Sequence, residues 1–309
     1  MIREIYPDKD ESEDGLITGY YEPLLHGSDQ QTERYRYPVY KRPDNLLVVE
    51  LSDLYPALKG KRVRARLDSK NRVVPYFDRK TIENDANLLK GNEIAWVDDP
   101  VALFFTHIQG SGRIQYDDGH EIDIGYEDQN GHPYYAIGRK LIESGDIPVE
   151  QMSMQAIKQW LMTHPQNAAD LLNTNPSYIF FQARESKPDE GPLGTLGVPL
   201  TAQRSIAVDR KAITLGSPVW MVTQLPPTED ENGQPANSDA MKTGDKKAGV
   251  DFKHLMFAQD TGGAIRGRVR ADVFWGTGKL AEFYAGKMRQ SGRMFILLPK
   301  ALLAVNDVR

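Results

Sequence analysis

The chain has 309 residues, 38 Lys+Arg against 43 Asp+Glu, and no cysteine. That length predicts two domains with ample chain for a core, and a net charge of −5 argues against a broad nucleic-acid or anionic-membrane surface. The missing thiols exclude disulfides, Cys-ligated zinc, iron–sulfur clusters and thiol nucleophiles, without fixing the compartment.

Residues 1–10 hold no apolar stretch of signal-peptide length, and the longest apolar runs, 101–105 and 294–298, are far too short to span a membrane. In chain order, 38–40, 47–50, 93–97, 102–108, 113–116 and 121–124 read as strands, the last two joined at Asp117-Asp118-Gly119 as a hairpin. Helices are expected at 79–89 with Asp78 as cap, at 134–144, at 152–161, and from Pro165 to Leu172. Strands return at 217–224 and 251–259, separated by a Pro-, Asn- and Gly-rich exposed loop at 225–249. Strands at 271–275 and 294–298 and a helix at 278–288 complete a β-rich final third.

Several familiar chemistries find no support. The six histidines (26, 107, 120, 132, 164, 254) are scattered, so no metal site is expected. The run from His107 to Gly112 lacks the spacing of a nucleophile elbow. The glycines at Gly276 and Gly278 fall too near the end for a dinucleotide-binding unit, so no cofactor is expected either.

Three stretches carry more. In Thr18-Gly19-Tyr20-Tyr21-Glu22-Pro23, two tyrosines stand beside a carboxylate; adjacent strand residues face opposite sides, so one ring is expected in the core and the other in a cleft. The run Phe104 to Arg113 takes an apolar strand into Gly110-Ser111-Gly112, which lets a ligand approach the backbone. The third contains Asp260-Thr261-Gly262-Gly263 and, twelve residues after Asp260, Asp272; Asp209 is a further candidate. Ala, Val, Phe and Trp surround Asp272, and a poorly solvated carboxyl has a raised pKa, as a general acid requires. An Asp beside Gly also reads as a turn cap, strongly for Asp260 before Thr-Gly-Gly and less so for Asp272 between apolar neighbours.

Taken together and in order, the stretches at 19–23, 107–113, 175–181, 194–204 and 258–276 resemble the membrane-bound lytic murein transglycosylase A family. The resemblance implies a mainly β protein: a double-psi β-barrel from residues 1–38 and 188–309, with a β-rich domain carrying a few helices inserted at 39–187, and substrate held between them. It implies cleavage of the β-1,4 bond between N-acetylmuramic acid and N-acetylglucosamine of peptidoglycan, leaving 1,6-anhydromuramic acid. The substrate's own C6 hydroxyl is the nucleophile, so one carboxyl suffices where a conventional glycosidase needs two. That acid/base carries over to Asp272, with Asp260 holding hydrogen bonds and Asp209 bracing the fold. Sugar contacts are expected from Tyr20, Tyr21, Glu22, Gln109, Ser111, Gly112, Thr261, Gly262 and Gly263.

The expected partner is the peptidoglycan glycan strand, with no nucleic acid; a cell-wall synthesis or hydrolysis complex and a monomeric state are further expectations. The expected location is the cell envelope, in the periplasm at an outer-membrane anchor, although the family's leader and lipid-modified cysteine are absent from this sequence. Two readings stay open beside it: a hydrolase pairing Asp272 with Glu22, and an inactive glycan-binding module.

Overall fold

A computed structural model describes residues 2–5, 15–59, 63–187, 190–226 and 250–299. Its contacts divide the chain into two compact units, Met1–Glu22 with Pro188–Arg309, and Pro23–Lys187. The first unit begins with β1 (Ile2–Ile5) and β2 (Gly15–Glu22). On β2, Ile17 is fully buried, and Gly19 has a steric reason to be glycine. A Cβ there would lie 2.5 Å from the Trp275 ring nitrogen and 3.2 Å from the Cα of Ala285.

The second unit runs through β3 (Leu24–Ser28) and β4 (Tyr37–Tyr40), then a small sheet of β5 (Leu47–Val49), β6 (Val63–Leu67) and β7 (Val73–Pro75). There follow α1 (Arg79–Asn84), β8 (Glu93–Val97), α2 (Pro100–Gln109), β9 (Ser111–Tyr116), β10 (Glu121–Gln129), α3 (Ile137–Glu143), α4 (Met154–Thr163), α5 (Pro165–Leu172) and β11 (Ile179–Glu185). Its larger sheet has the order β11-β10-β9-β3-β8-β4. Since β3 pairs with both β8 and β9, the chain enters this unit at 22/23 rather than at the expected 38/39. Gly119, at φ +89°, turns the β9–β10 hairpin in the left-handed region that only glycine adopts freely. Apolar side chains of the sheet, among them Leu25, Val39, Ile114, Ile124 and Phe181, make one core cluster. Phe104, Phe105, Ile137, Leu141, Leu161 and Leu171 make a second, among the helices.

Two expectations are corrected here. Residues 102–108 form a helix, not a strand. The Asp99 side chain accepts from the amides of Val101 and Ala102 at 2.8 and 3.0 Å, Pro100 supplies the fixed φ of a first turn, and Gly110 at φ +81° ends the helix. Five consecutive residues, Leu103 to His107, are buried, so the helix lacks the polar stripe that marks a surface helix. Helix α1 keeps its Asp78 cap, which accepts from the Thr81 amide at 2.9 Å, but ends at Asn84 rather than 89. There Asp85 turns extended and its carboxylate accepts from the Asn87 amide at 3.0 Å, an alternative to the helical bond.

The first unit resumes with β12 (Ser205–Val208), β13 (Pro218–Gln224), β14 (Asp251–Asp260), β15 (Arg270–Thr277), α6 (Gly278–Lys287) and β16 (Arg289–Leu297). Its sheet runs β1-β16-β13-β14-β12-β15-β2, and β16 also pairs with β2, so the order returns to β16. The pairs β12–β14 and β15–β2 are parallel; the others are antiparallel. Of the loop expected at 225–249, residues 227–249 lie outside the described residues. No helix among the described residues is long and apolar enough to cross a membrane.

Candidate active site

The parallel pairing of β2 with β15 sets Thr18 beside Asp272 and Tyr20 beside Phe274. On the other side of β15, β12 places Ala207 opposite Asp272, and the same Ala207 is in register with Asp260 on β14. Asp260 and Asp272 therefore flank one alanine, two strand spacings apart, or about 10 Å between Cα positions. A buried apolar cluster of Tyr20, Leu200, Ala207, Ile265 and Phe274 underlies them, with the Tyr20 and Phe274 rings 5.3 Å apart.

The two carboxylates are held differently. Asp260 accepts from the Tyr20 hydroxyl at 3.0 Å and from both the amide and hydroxyl of Thr195 at 2.9 Å. Thr195 in turn lies 2.9 Å from the Thr261 hydroxyl. Asp272 receives the Thr18 hydroxyl and Nη1 of Arg270, at 2.5 Å for the latter, both on Oδ1; among the described residues none hydrogen-bonds to Oδ2. Its side chain is 19% exposed.

The apolar surroundings read from the neighbours of Asp272 are thus corrected. Ala271 and Val273 are buried on the opposite face of β15, as strand alternation requires, and the carboxylate itself meets a hydroxyl and a guanidinium. The expected division of the tyrosines also fails, since both rings are buried. Burial, the Asp260 charge and hydrogen bond, and the Asp272 charge push the Tyr20 phenol well above its usual pKa, so it stays a donor. Burial and the charge of Glu282 on α6 do the same to Tyr21, which serves the α6 side.

Other candidates fall elsewhere. Glu22, 1% exposed, pairs in register with Thr277 at the end of β2. Asp209 follows β12 and accepts from the amides of Lys211 at 3.0 Å and Gly267 at 3.2 Å; the first of these bonds leads in holding its carboxyl below the usual range. Gly262 closes a turn with Ile265 at 3.1 Å, and Gly263 is exposed. In the second unit, Gln109 ends α2, while Ser111, which is buried, and Gly112 begin β9. A Cβ on Gly112 would meet Thr106 at 2.8 Å, a packing reason for that glycine. His107 is a core residue: its Nδ1 accepts from the Ile179 amide at 3.1 Å, and its ring packs edge-on against Tyr178 and Phe181. No group of side chains among the described residues is arranged to hold a metal ion.

Sequence reasoning missed Thr18, Thr195 and Arg270. Thr18 and Tyr20, two apart on a strand, share a face, as do Arg270 and Asp272, and that spacing was the available signal. Thr195 comes from a distant loop and carries no local mark.

Residues 16–182 match the MltA specific insert domain and residues 204–298 match the 3D domain. The membrane-bound lytic murein transglycosylase A homolog of Buchnera aphidicola is 34% identical over 283 residues, covering 91% of this chain and 65% of that protein. The chain thus spans 65% of the length of the curated relatives it matches. A membrane-bound lytic murein transglycosylase from Agrobacterium tumefaciens superposes with a TM-score of 0.78 at 34% identity, over 97% of this chain and 77% of that one. The structure of Escherichia coli MltA with bound chitohexaose gives 0.72 at 27% identity, over 94% and 74%.

Proposed function

The chain belongs to the membrane-bound lytic murein transglycosylase A family, and from that premise we propose that it cleaves peptidoglycan glycan strands without adding water. The bond is the β-1,4 linkage from N-acetylmuramic acid to N-acetylglucosamine. Asp272 gives a proton to the leaving glycosidic oxygen as the C1–O bond breaks. The C6 hydroxyl of the same muramic residue closes on C1, and its proton returns to Asp272. The products are a 1,6-anhydromuramic end and an N-acetylglucosamine end.

The observation that carries this reading is the asymmetry of Asp272. Thr18 and Arg270 both hold Oδ1, which leaves Oδ2 as the oxygen that gives and takes back the proton in this reading. Asp260, with three donors on it, is suited to order Tyr20, Thr195 and, through Thr195, Thr261. Glu22 is buried, which weighs against the two-carboxylate hydrolase, because a second carboxylate must reach water or the sugar ring. The chitohexaose bound by the E. coli relative fits a β-1,4-linked glycan as ligand. Sugar contacts from Tyr20 and from Thr261 to Gly263, all in the first unit, belong to the same proposal.

The sheet whose order returns to β16, with two parallel pairs within it, we read as the double-psi β-barrel of the family. The location that follows from this substrate is the cell envelope.

Replacing Asp272 tests the role. Asp272→Asn should lower release of soluble muropeptides from purified sacculi at least about 100-fold, with an unchanged melting profile. Asp260→Asn should cost less. An active Asp272→Asn beside an inactive Asp260→Asn would move the acid/base role to Asp260.

A further inference from the structure

The outer face of β13 and β14 carries a cleft of about 380 Å³ that shares no residue with the Asp260–Asp272 cluster. Antiparallel register sets Trp220 opposite Leu255 and Pro218 opposite Phe257, so these four side chains share one face. Trp220 and Phe257 are each 39% exposed, an unusual investment of aromatic surface in solvent on adjacent strands. Arg204, just before β12, lines the same cleft with Lys253 and His254. Nη1 of Arg204 donates to Nδ1 of His254 at 2.7 Å, and the His254 ring is stacked on Phe252 at 4.1 Å, which fixes the acceptor and hence the guanidinium. Lys253 is neutralised by Asp251 at 2.7 Å, whereas Arg204 forms no ion pair among the described residues.

An oriented guanidinium with no ion pair among the described residues, beside two exposed rings, has a definite chemical preference. Aromatic faces take the apolar face of a sugar ring, and a planar guanidinium takes a carboxylate by paired hydrogen bonds. A neutral oligosaccharide would leave Arg204 unused, and a simple anion would leave the rings unused. We propose that this cleft is an accessory glycan-binding site for a carboxylate-bearing saccharide strand, with a sugar ring on Trp220 and a carboxylate on Arg204. That the strand is peptidoglycan, whose muramic residues carry a lactyl carboxylate once peptides are removed, rests on the function proposed above. The cleft would keep the chain on its polymer between cleavage events.

The test is made in the full chain carrying Asp272→Asn, so that no turnover is needed, by titration with two soluble probes: peptide-stripped peptidoglycan strands and neutral chitohexaose. The strands should bind more tightly than chitohexaose. Arg204→Gln should weaken strand binding about tenfold, the scale of one charge-assisted contact, and leave chitohexaose binding unchanged. Trp220→Ala should weaken both, and Trp220→Phe should restore most of the loss, which separates ring stacking from misfolding. Affinities for the strands unchanged in both Arg204→Gln and Trp220→Ala, or no preference for the strands over chitohexaose, would overturn the site. Binding of poly-glutamate at Arg204 in preference to the strands would also overturn it, in favour of an acidic peptide. If the affinities behave as stated but the parent chain releases no anhydro product, the cleft stands and the proposed reaction falls.

Discussion

Two aspartates flank Ala207, and their side chains are held differently. Asp260 accepts on both oxygens, from Tyr20 and Thr195, while Asp272 is held on one oxygen only. A different titrating residue gives the most direct residue-scale check on the structure. His107 is buried in the second unit, and burial first, then the Arg79 charge, push its pKa well below the usual 6.5. Below pH 6.5 the unfolded chain binds this proton and the folded chain does not, so stability falls as pH drops through 6.5 toward the folded pKa. The contribution is about 1.4 kcal/mol per pH unit. Urea midpoints of the parent and of His107→Gln, which keeps an acceptor for the Ile179 amide, should diverge in slope between pH 7.5 and 5.5. The parent should lose more; equal slopes would contradict a neutral buried histidine. At this scale the aspartates and Tyr20 were legible because their residue types are chemically conspicuous in a short motif. Thr195 was not, because what makes it matter is a contact across 65 residues of sequence.

Among the elements, α2 is the instructive one. Its composition reads as a strand because the side chains from Leu103 to His107 are all buried, and periodicity vanishes when every side of a helix is covered. The decisive signals were its ends: Asp99-Pro100 before it and Gly110 after it. Asp99→Ala should destabilise the second unit by about 1 kcal/mol, read as a lower melting temperature with no change in the far-ultraviolet dichroism of the folded chain. An unchanged melting temperature would mean the cap contributes nothing. Helix α4 was legible from its own periodicity, and α5 from the Pro165 that opens it. The short strands β5, β6 and β7 were only partly so, since runs of three to five residues leave few alternations to read.

At the scale of the whole molecule, the first unit is assembled from both ends of the chain: β2 finds its partners β15 and β16 some 250 residues later. Sequence pattern predicts that a strand exists but not which distant strand it joins, so neither the order of the seven-stranded sheet nor the chain's entry into the second unit at 22/23 was legible from local signals. What was legible was the sequential order of motifs, and through it the family. The proposed reaction is set apart from hydrolysis by its product, which gains no water. Mass spectrometry of the muropeptides released when the chain digests purified sacculi tests it most directly. The expected products are one water lighter than the corresponding hydrolysis fragments, end in 1,6-anhydromuramic acid and are absent with Asp272→Asn. Products with reducing muramic ends would contradict it and point to a hydrolase.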